Sequence, residues 1–260
     1  MIRFIGILYL FASMVTGVAC EQAPPQQSTQ TAKDPAVLEP AHENKETTES
    51  AWPQVESDEH IEVAQDLTAK NYYVVLDCSG SMGEVNCSNG LPKLEVAKTS
   101  LKNFADLVPR DANLGLLVFQ ENKIYEGIPL GKANRDQFKT AVDATFNSGA
   151  TPLFSAIRQG YLQLEAQGKK QLGYGEYTIV VVTDGEASDG EDPTRIVSWI
   201  LDYSPIQIHT IGFCIGPDHS LNIPGRTVYK AADNPQQLEE GLQEVLAESE
   251  AFDVSDFHQN

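Results

Sequence analysis

Tyr72-Tyr73-Val74-Val75-Leu76-Asp77-Cys78-Ser79-Gly80-Ser81-Met82 is the stretch whose reading decides the fold. Tyr72 to Leu76 is apolar and β-prone without interruption, and the chain turns abruptly polar at Asp77. A short run of that kind, with no polar face, reads as a fully buried strand at the centre of a parallel sheet. At its end stand one carboxylate and two hydroxyls, Asp77, Ser79 and Ser81, separated by single residues, with Gly80 between the serines. Alternate residues of a loop leaving a strand can turn their oxygens toward one point. A carboxylate and hydroxyls converging there suit a hard divalent cation that prefers oxygen and keeps some of its waters.

Outward from this stretch, strand and helix signals alternate. Leu94 to Val108 has apolar residues at helical spacing and is stopped by Pro109. Asn113–Gln120 reads as a second buried strand, and Ile124–Leu130 as a third, on an edge because it contains Pro129. Asn134–Phe146 and Pro152–Gln167 read as helices, the latter with proline in its first turn. Tyr177–Thr183 is the strongest strand signal; Pro193–Tyr203, Ile206–Phe213, Thr227–Lys230 and Pro235–Glu248 follow as helix, strand, strand and helix. This alternation predicts an α/β fold: a doubly wound, mostly parallel central sheet flanked by helices, in one domain over residues 67–250. Ligands of such sheets sit beyond the carboxyl ends of the strands. The polar residues there are Asp77, Ser79 and Ser81 after the first strand and Thr183-Asp184-Gly185-Glu186 after the strongest. A Gly-rich turn, Ser148-Gly149-Ala150-Thr151-Pro152-Leu153, also places Thr151 just ahead of a helix.

These three segments, in this order and spacing, resemble the three parts of the metal-ion-dependent adhesion site of von Willebrand factor type A domains. The resemblance covers the region from about Asn71 to Ser249. One D-x-S-x-S alone is ordinary turn chemistry, whereas three parts, each at the end of the proper element, form a specific pattern. The resemblance implies that Ser79, Ser81 and Thr151 coordinate the cation directly or through water. It implies that Asp77 and Asp184 do so directly or from behind these ligands. Magnesium is the implied occupant, with Mn²⁺ or Ca²⁺ as substitutes. Two carboxylates and three neutral hydroxyls leave room for one outside oxygen, which a Glu or Asp carboxylate of a protein partner would supply.

Length and charge agree with a binding protein. The chain has 260 residues, 41% of them hydrophobic, which is enough for a real core. Its net charge of −19 excludes nucleic acid as a partner, because phosphate binding needs clustered Lys and Arg. Met1-Ile2-Arg3 and the apolar run Phe4–Val18 form a signal peptide over residues 1–19, and Gly17-Val18-Ala19-Cys20 resembles a bacterial lipoprotein box with Cys20 as the lipidated residue. Residues 20–66 are rich in Gln, Thr, Pro and acids and lack hydrophobic periodicity, which predicts a disordered acidic linker. Residues 251–260 read as a frayed tail. An exported, membrane-anchored lipoprotein follows, facing the periplasm from the outer membrane, with a soluble periplasmic or secreted form as the alternative.

Catalytic patterns are missing. An aspartyl phosphatase needs an acid two residues after its nucleophile, where Ser79 stands after Asp77. Ser79 and Ser81 are not on a G-x-S-x-G elbow, and H-E-x-x-H is absent. Of the histidines outside the tails, His209 falls within a strand as a core or edge residue, and His219 reads as structuring its loop. The expectation is a non-enzymatic, cation-dependent protein-binding domain of the cell envelope. The alternative is an accessory subunit of a larger chelatase-like or channel-like assembly. Besides Cys20, the chain holds Cys78, Cys87 and Cys214. In an exported protein two of these can be oxidised, and both Cys87–Cys214 and Cys78–Cys87 remain open as pairings.

Overall fold

The structure is a computed structural model that describes residues 52–56 and 58–250. The expected signal peptide, Cys20, most of the acidic linker and the tail over residues 251–260 lie outside the described residues.

The quoted stretch is the central strand, β1 (Lys70–Asp77), buried along nearly its whole length. It pairs in parallel with β2 (Asn113–Gln120) on one side and with β4 (Glu176–Thr183) on the other. β3 (Lys123–Gly131) closes one edge antiparallel to β2. It carries Pro129 where a missing N–H costs no central ladder bond. β5 (Gln207–Phe213) and β6 (Val228–Ala232) extend the other side in parallel, giving the order β3-β2-β1-β4-β5-β6. The chain therefore leaves β1 in one direction for β2 and β3, then crosses back to β4 and runs the other way. The crevice between β1 and β4 is the switch point where sheets of this type bind ligands.

Burial on both faces explains why β1 shows no alternation in the sequence. Tyr72, Val74 and Leu76 face one core, shared with α1 (Lys93–Leu107), α2 (Arg135–Asp143) and α5 (Pro235–Glu250). Tyr73 and Val75 face the other, shared with α3 (Leu153–Lys170) and α4 (Pro193–Tyr203). In α1 the stripe Leu94, Ala97, Leu101, Phe104 and Ala105 is completely or almost completely buried. Each large member contributes about 1.5–3 kcal/mol by leaving water.

Two boundaries differ from the sequence expectation. α2 ends at Asp143 instead of running to Phe146, because the backbone N–H and hydroxyl of Thr145 both turn back to the Val142 carbonyl. Phe146 then lies in a loop whose N–H donates to the Gln120 side chain at 3.2 Å. Packed chain also begins before Leu67. The Trp52 ring meets Tyr177 edge-on at 4.7 Å and lies against Gly168 of α3, where a Cβ would sit 2.4 Å from the indole. Glu59 pairs with Lys169 at 2.7 Å, and the Ala64 N–H reaches the Lys170 carbonyl at 2.8 Å. Composition alone placed this acidic segment in the linker; in the structure the Trp52 ring, the Glu59–Lys169 pair and the Ala64 N–H all meet α3. Its attachment is at the start of β4 and the end of α3, the pole of the sheet opposite Asp77.

Candidate functional site

Asp77 is the last residue of β1 and is fully buried. One of its oxygens accepts the Ser79 N–H at 2.7 Å, which turns the backbone into a 3-10 turn over Gly80–Gly83. The other accepts the Thr183 hydroxyl at 2.6 Å, tying the end of β1 to the end of β4. No cation among these partners offsets the carboxylate. Burial therefore pushes the Asp77 carboxyl up to about 6, against the pull of the Ser79 and Thr183 hydrogen bonds.

The turn sets the two serines side by side, with hydroxyl oxygens 3.1 Å apart. Ser81 also donates to Asp184 Oδ1 at 2.7 Å, so the first and third sequence segments meet directly. The second segment is stitched in through its backbone. The Ser148 N–H donates to the Cys78 carbonyl at 2.7 Å, and the Gly80 N–H donates to the Gly149 carbonyl at 3.0 Å. Gly149 has φ +89, and a Cβ there would stand 2.6 Å from the Asn122 nitrogen, so this close approach requires glycine. Two residues on, the Thr151 N–H donates to the Ser188 hydroxyl at 2.9 Å, and the Thr151 carbonyl accepts the Ser188 N–H at 3.0 Å. The Thr151 hydroxyl makes no hydrogen bond to the other four candidate residues, which are linked to one another.

Two side chains outside the expected ligand set complete the site. Thr183 bridges the Asp77 carboxylate and the Gly185 carbonyl at 2.6 and 3.2 Å. It is the last residue of the apolar strand β4, at the carboxyl end where ligands of such sheets sit. Lys93 is almost fully buried at the start of α1, and its ammonium contacts Asp184 Oδ2 at 2.8 Å and Glu84 Oε2 at 3.0 Å. Burial would depress that ammonium, and the two carboxylates more than reverse this, leaving its pKa raised. The readable sign was a lysine in the first turn of a helix, where the helix dipole disfavours it.

The rim is braced by a disulfide. Cys87 joins Cys214, with Cα atoms 6.0 Å apart, one of the two pairings the sequence left open. The bond fastens the loop between the 3-10 turn and α1 to the loop after β5. Cys78 stays a free, buried thiol, pushed up to about 12 by burial, and is chemically quiet. His219 has both ring nitrogens engaged: Nδ1 accepts the Leu221 N–H at 3.0 Å, and Nε2 donates to the Gly185 carbonyl at 3.0 Å. It structures its loop, and no ring nitrogen is left over for proton transfer. His209 is buried in β5, which holds its imidazole down at about 4.

Among the described residues there is no group of three or more His, Cys, Asp and Glu placed to hold a metal, so any ion here would depend on hydroxyls beside two carboxylates. The spacing of those oxygens fits magnesium. Neighbouring corners of an octahedron with bonds of about 2.1 Å lie roughly 3 Å apart. The Ser79–Ser81 and Ser81–Asp184 separations are 3.1 and 2.7 Å. The free Thr151 hydroxyl offers a further oxygen from the adjoining loop.

An open α/β sheet with an oxygen-lined crevice at its switch point defines a class of binding domains. The von Willebrand factor type A domain profile matches residues 71–260, and the chain belongs to that family. It is 31% identical over 139 residues to the uncharacterized protein YwmD of Bacillus subtilis (strain 168), a match that spans 47% of this chain and 58% of that protein. Among solved structures it is similar to a von Willebrand factor type A protein of Catenulispora acidiphila, with a TM-score of 0.58, 19% identity and coverage of 70% of this chain and 43% of that one. It is similar also to BatB of Bacteroides thetaiotaomicron, with a TM-score of 0.55, 16% identity and coverage of 70% of this chain and 100% of that one. At these identities the structural likenesses speak for the fold.

Proposed function

We propose that this protein is a non-enzymatic, divalent-cation-dependent protein-binding domain of the cell envelope. The observation that carries the reading is the interlock of three loops around four side-chain groups, with Ser79, Ser81 and Asp184 oxygens at octahedral-edge distances and buried Asp77 behind them. Ser79, Ser81 and Thr151 would hold Mg²⁺, with Asp77 and Asp184 supplying negative charge directly or through water. The ion offers a Lewis-acidic coordination position that a Glu or Asp of the partner occupies. Val85, Leu91 and Phe146 stand exposed on loops at this end of the sheet and provide apolar contact area around that carboxylate.

The engaged nitrogens of His219 and the burial of His209 leave the site without a histidine base, which favours binding over hydrolysis. The attachment of Trp52, Glu59 and Ala64 at the pole opposite Asp77 leaves the site clear of this segment, which suits a domain with an N-terminal anchor. That anchor is the lipid on Cys20, in a protein exported to the periplasmic face of the outer membrane.

The test is a calorimetric Mg²⁺ titration of the full-length protein in mild detergent, beside Asp77→Ala and Thr151→Ala. Saturable binding lost in both variants is the expected result, followed by chelator-sensitive capture of a partner. Wild type that binds no divalent ion, even with a small carboxylate present, refutes the reading. Labelling with a radioactive fatty acid, lost in Cys20→Ser, tests the anchor.

A further inference from the structure

Lys93 breaks two local rules at once. It is the first residue of α1, where the exposed N–H groups and the helix dipole favour an anion. It is also buried, and a buried ammonium is expensive unless it is paired. Violations of this kind collect at functional sites.

The pairing is specific. The side chain of Lys93 is 3% exposed and that of Asp184 is 0% exposed, and the two meet at 2.8 Å. Asp184 divides its oxygens: Oδ1 receives the Ser81 hydroxyl, and Oδ2 receives the ammonium. Glu84, the second partner, is largely exposed, so its charge is well screened. The Lys93 N–H donates to the Glu84 carbonyl at 2.8 Å, closing the loop that carries disulfide-bonded Cys87. The lysine is thus held by its backbone, its helix and a braced loop.

We propose that Lys93 is a positioning residue that serves as a resident cation on the outer oxygen of Asp184, keeping the site assembled without metal and tuning the metal-loaded site to take an anionic ligand. The inference rests on the metal-binding reading above. The buried charges of Asp77, Asp184 and Lys93 sum to a single negative charge. A dication added to them leaves the site positive, and a partner carboxylate then neutralises it. Without the ammonium the same dication only balances the two aspartates. Metal would bind more tightly, and the pull on an outside carboxylate would weaken. Lys93 therefore trades metal affinity for ligand affinity.

The experiment uses the full-length protein as wild type, Lys93→Met and Lys93→Arg, with Asp77→Asn as a non-binding control. Mg²⁺ affinity is measured by calorimetry with and without excess acetate, and melting is followed in EDTA and in Mg²⁺. Lys93→Met should bind Mg²⁺ at least tenfold more tightly, gain less from acetate, and melt lower in EDTA with most of the loss restored by Mg²⁺. Lys93→Arg should stay within about threefold of wild type, since it keeps the charge. A residue of merely structural importance would weaken Mg²⁺ binding when lost. Wild type that binds Mg²⁺ while Lys93→Met binds it equally or less tightly overturns the inference and spares the metal reading. If neither protein binds the ion, the metal reading fails and the inference falls with it. Binding by Lys93→Met alone would refute the metal reading for the wild type and overturn the inference, since no metal-loaded site would exist for Lys93 to tune.

Discussion

Replacing Asp77 by asparagine should stabilise the metal-free protein near neutral pH while abolishing its response to magnesium. The carboxyl is fully buried, and burial raises it from 3.8 to about 6. An acid whose folded-state pKa is raised is stabilised by protonation, so its ionisation costs stability as pH rises from about 4 to 6, and the full cost is in place above that window. A shift of about two units corresponds to about 3 kcal/mol. Asparagine keeps an oxygen for the Ser79 N–H. Its amide would face Thr183 Oγ1, whose proton has a second acceptor in the Gly185 carbonyl at 3.2 Å. One amide proton has Thr183 Oγ1 to face and the second has no partner among these bonds, so the full gain is an upper limit. A gain of that size corresponds to a rise of roughly 6–12 °C for a domain of this length, and half of it would be readily measured. Scanning calorimetry in EDTA at about pH 7.5 and pH 5 is the assay, read as the difference between variant and wild type. The variant should melt higher at the upper pH, and the gap should narrow at pH 5, where Asp77 of the wild type is largely protonated. In Mg²⁺ the wild type should rise and the variant should not. An Asp77→Asn protein that melts at or below wild type in EDTA at both values would refute the argument that an uncompensated carboxylate is stored at this site.

Gly149→Ala forces a Cβ toward the Asn122 nitrogen at φ +89, so a melting loss of several degrees together with weakened Mg²⁺ binding is expected; an unperturbed melt would show that the turn relaxes freely. The Cys87–Cys214 bond closes a separation of 127 residues, and Cys87→Ser with Cys214→Ser should lose about 2–4 kcal/mol, as should wild type in reductant. A double variant whose denaturation midpoint matches oxidised wild type would count against that. Burial holds His209 down at about 4 from 6.5, so its contribution is present above pH 6.5 and is lost as pH falls toward 4. His209→Gln should remove up to about 3 kcal/mol of acid sensitivity in that window, opposite in sign to the Asp77 effect. Parallel acid limbs for variant and wild type would show that protonation is accommodated.

Much of this protein was legible in the order of its residues because the decisive signals are local. A strand buried on both faces must be apolar at every position, so Tyr72–Leu76 and Tyr177–Thr183 announce themselves, and alternation with helices then restricts the topology. The Asp77, Ser79 and Ser81 spacing and the Gly149 turn are features of short backbone segments, and short segments can be read one at a time. What only the tertiary structure decided depends on residues far apart in sequence. Trp52 is unremarkable until Gly168 supplies the space its ring fills. Cys87 selects Cys214 over Cys78 because two loops end at the same rim. Lys93 stands just ahead of the helix that the sequence predicts from Leu94, and only the folded chain brings it to Asp184, ninety-one residues away. Charge, burial and pairing are properties of a place in space, and the sequence by itself specifies the segments that meet there but not which side chain closes the site.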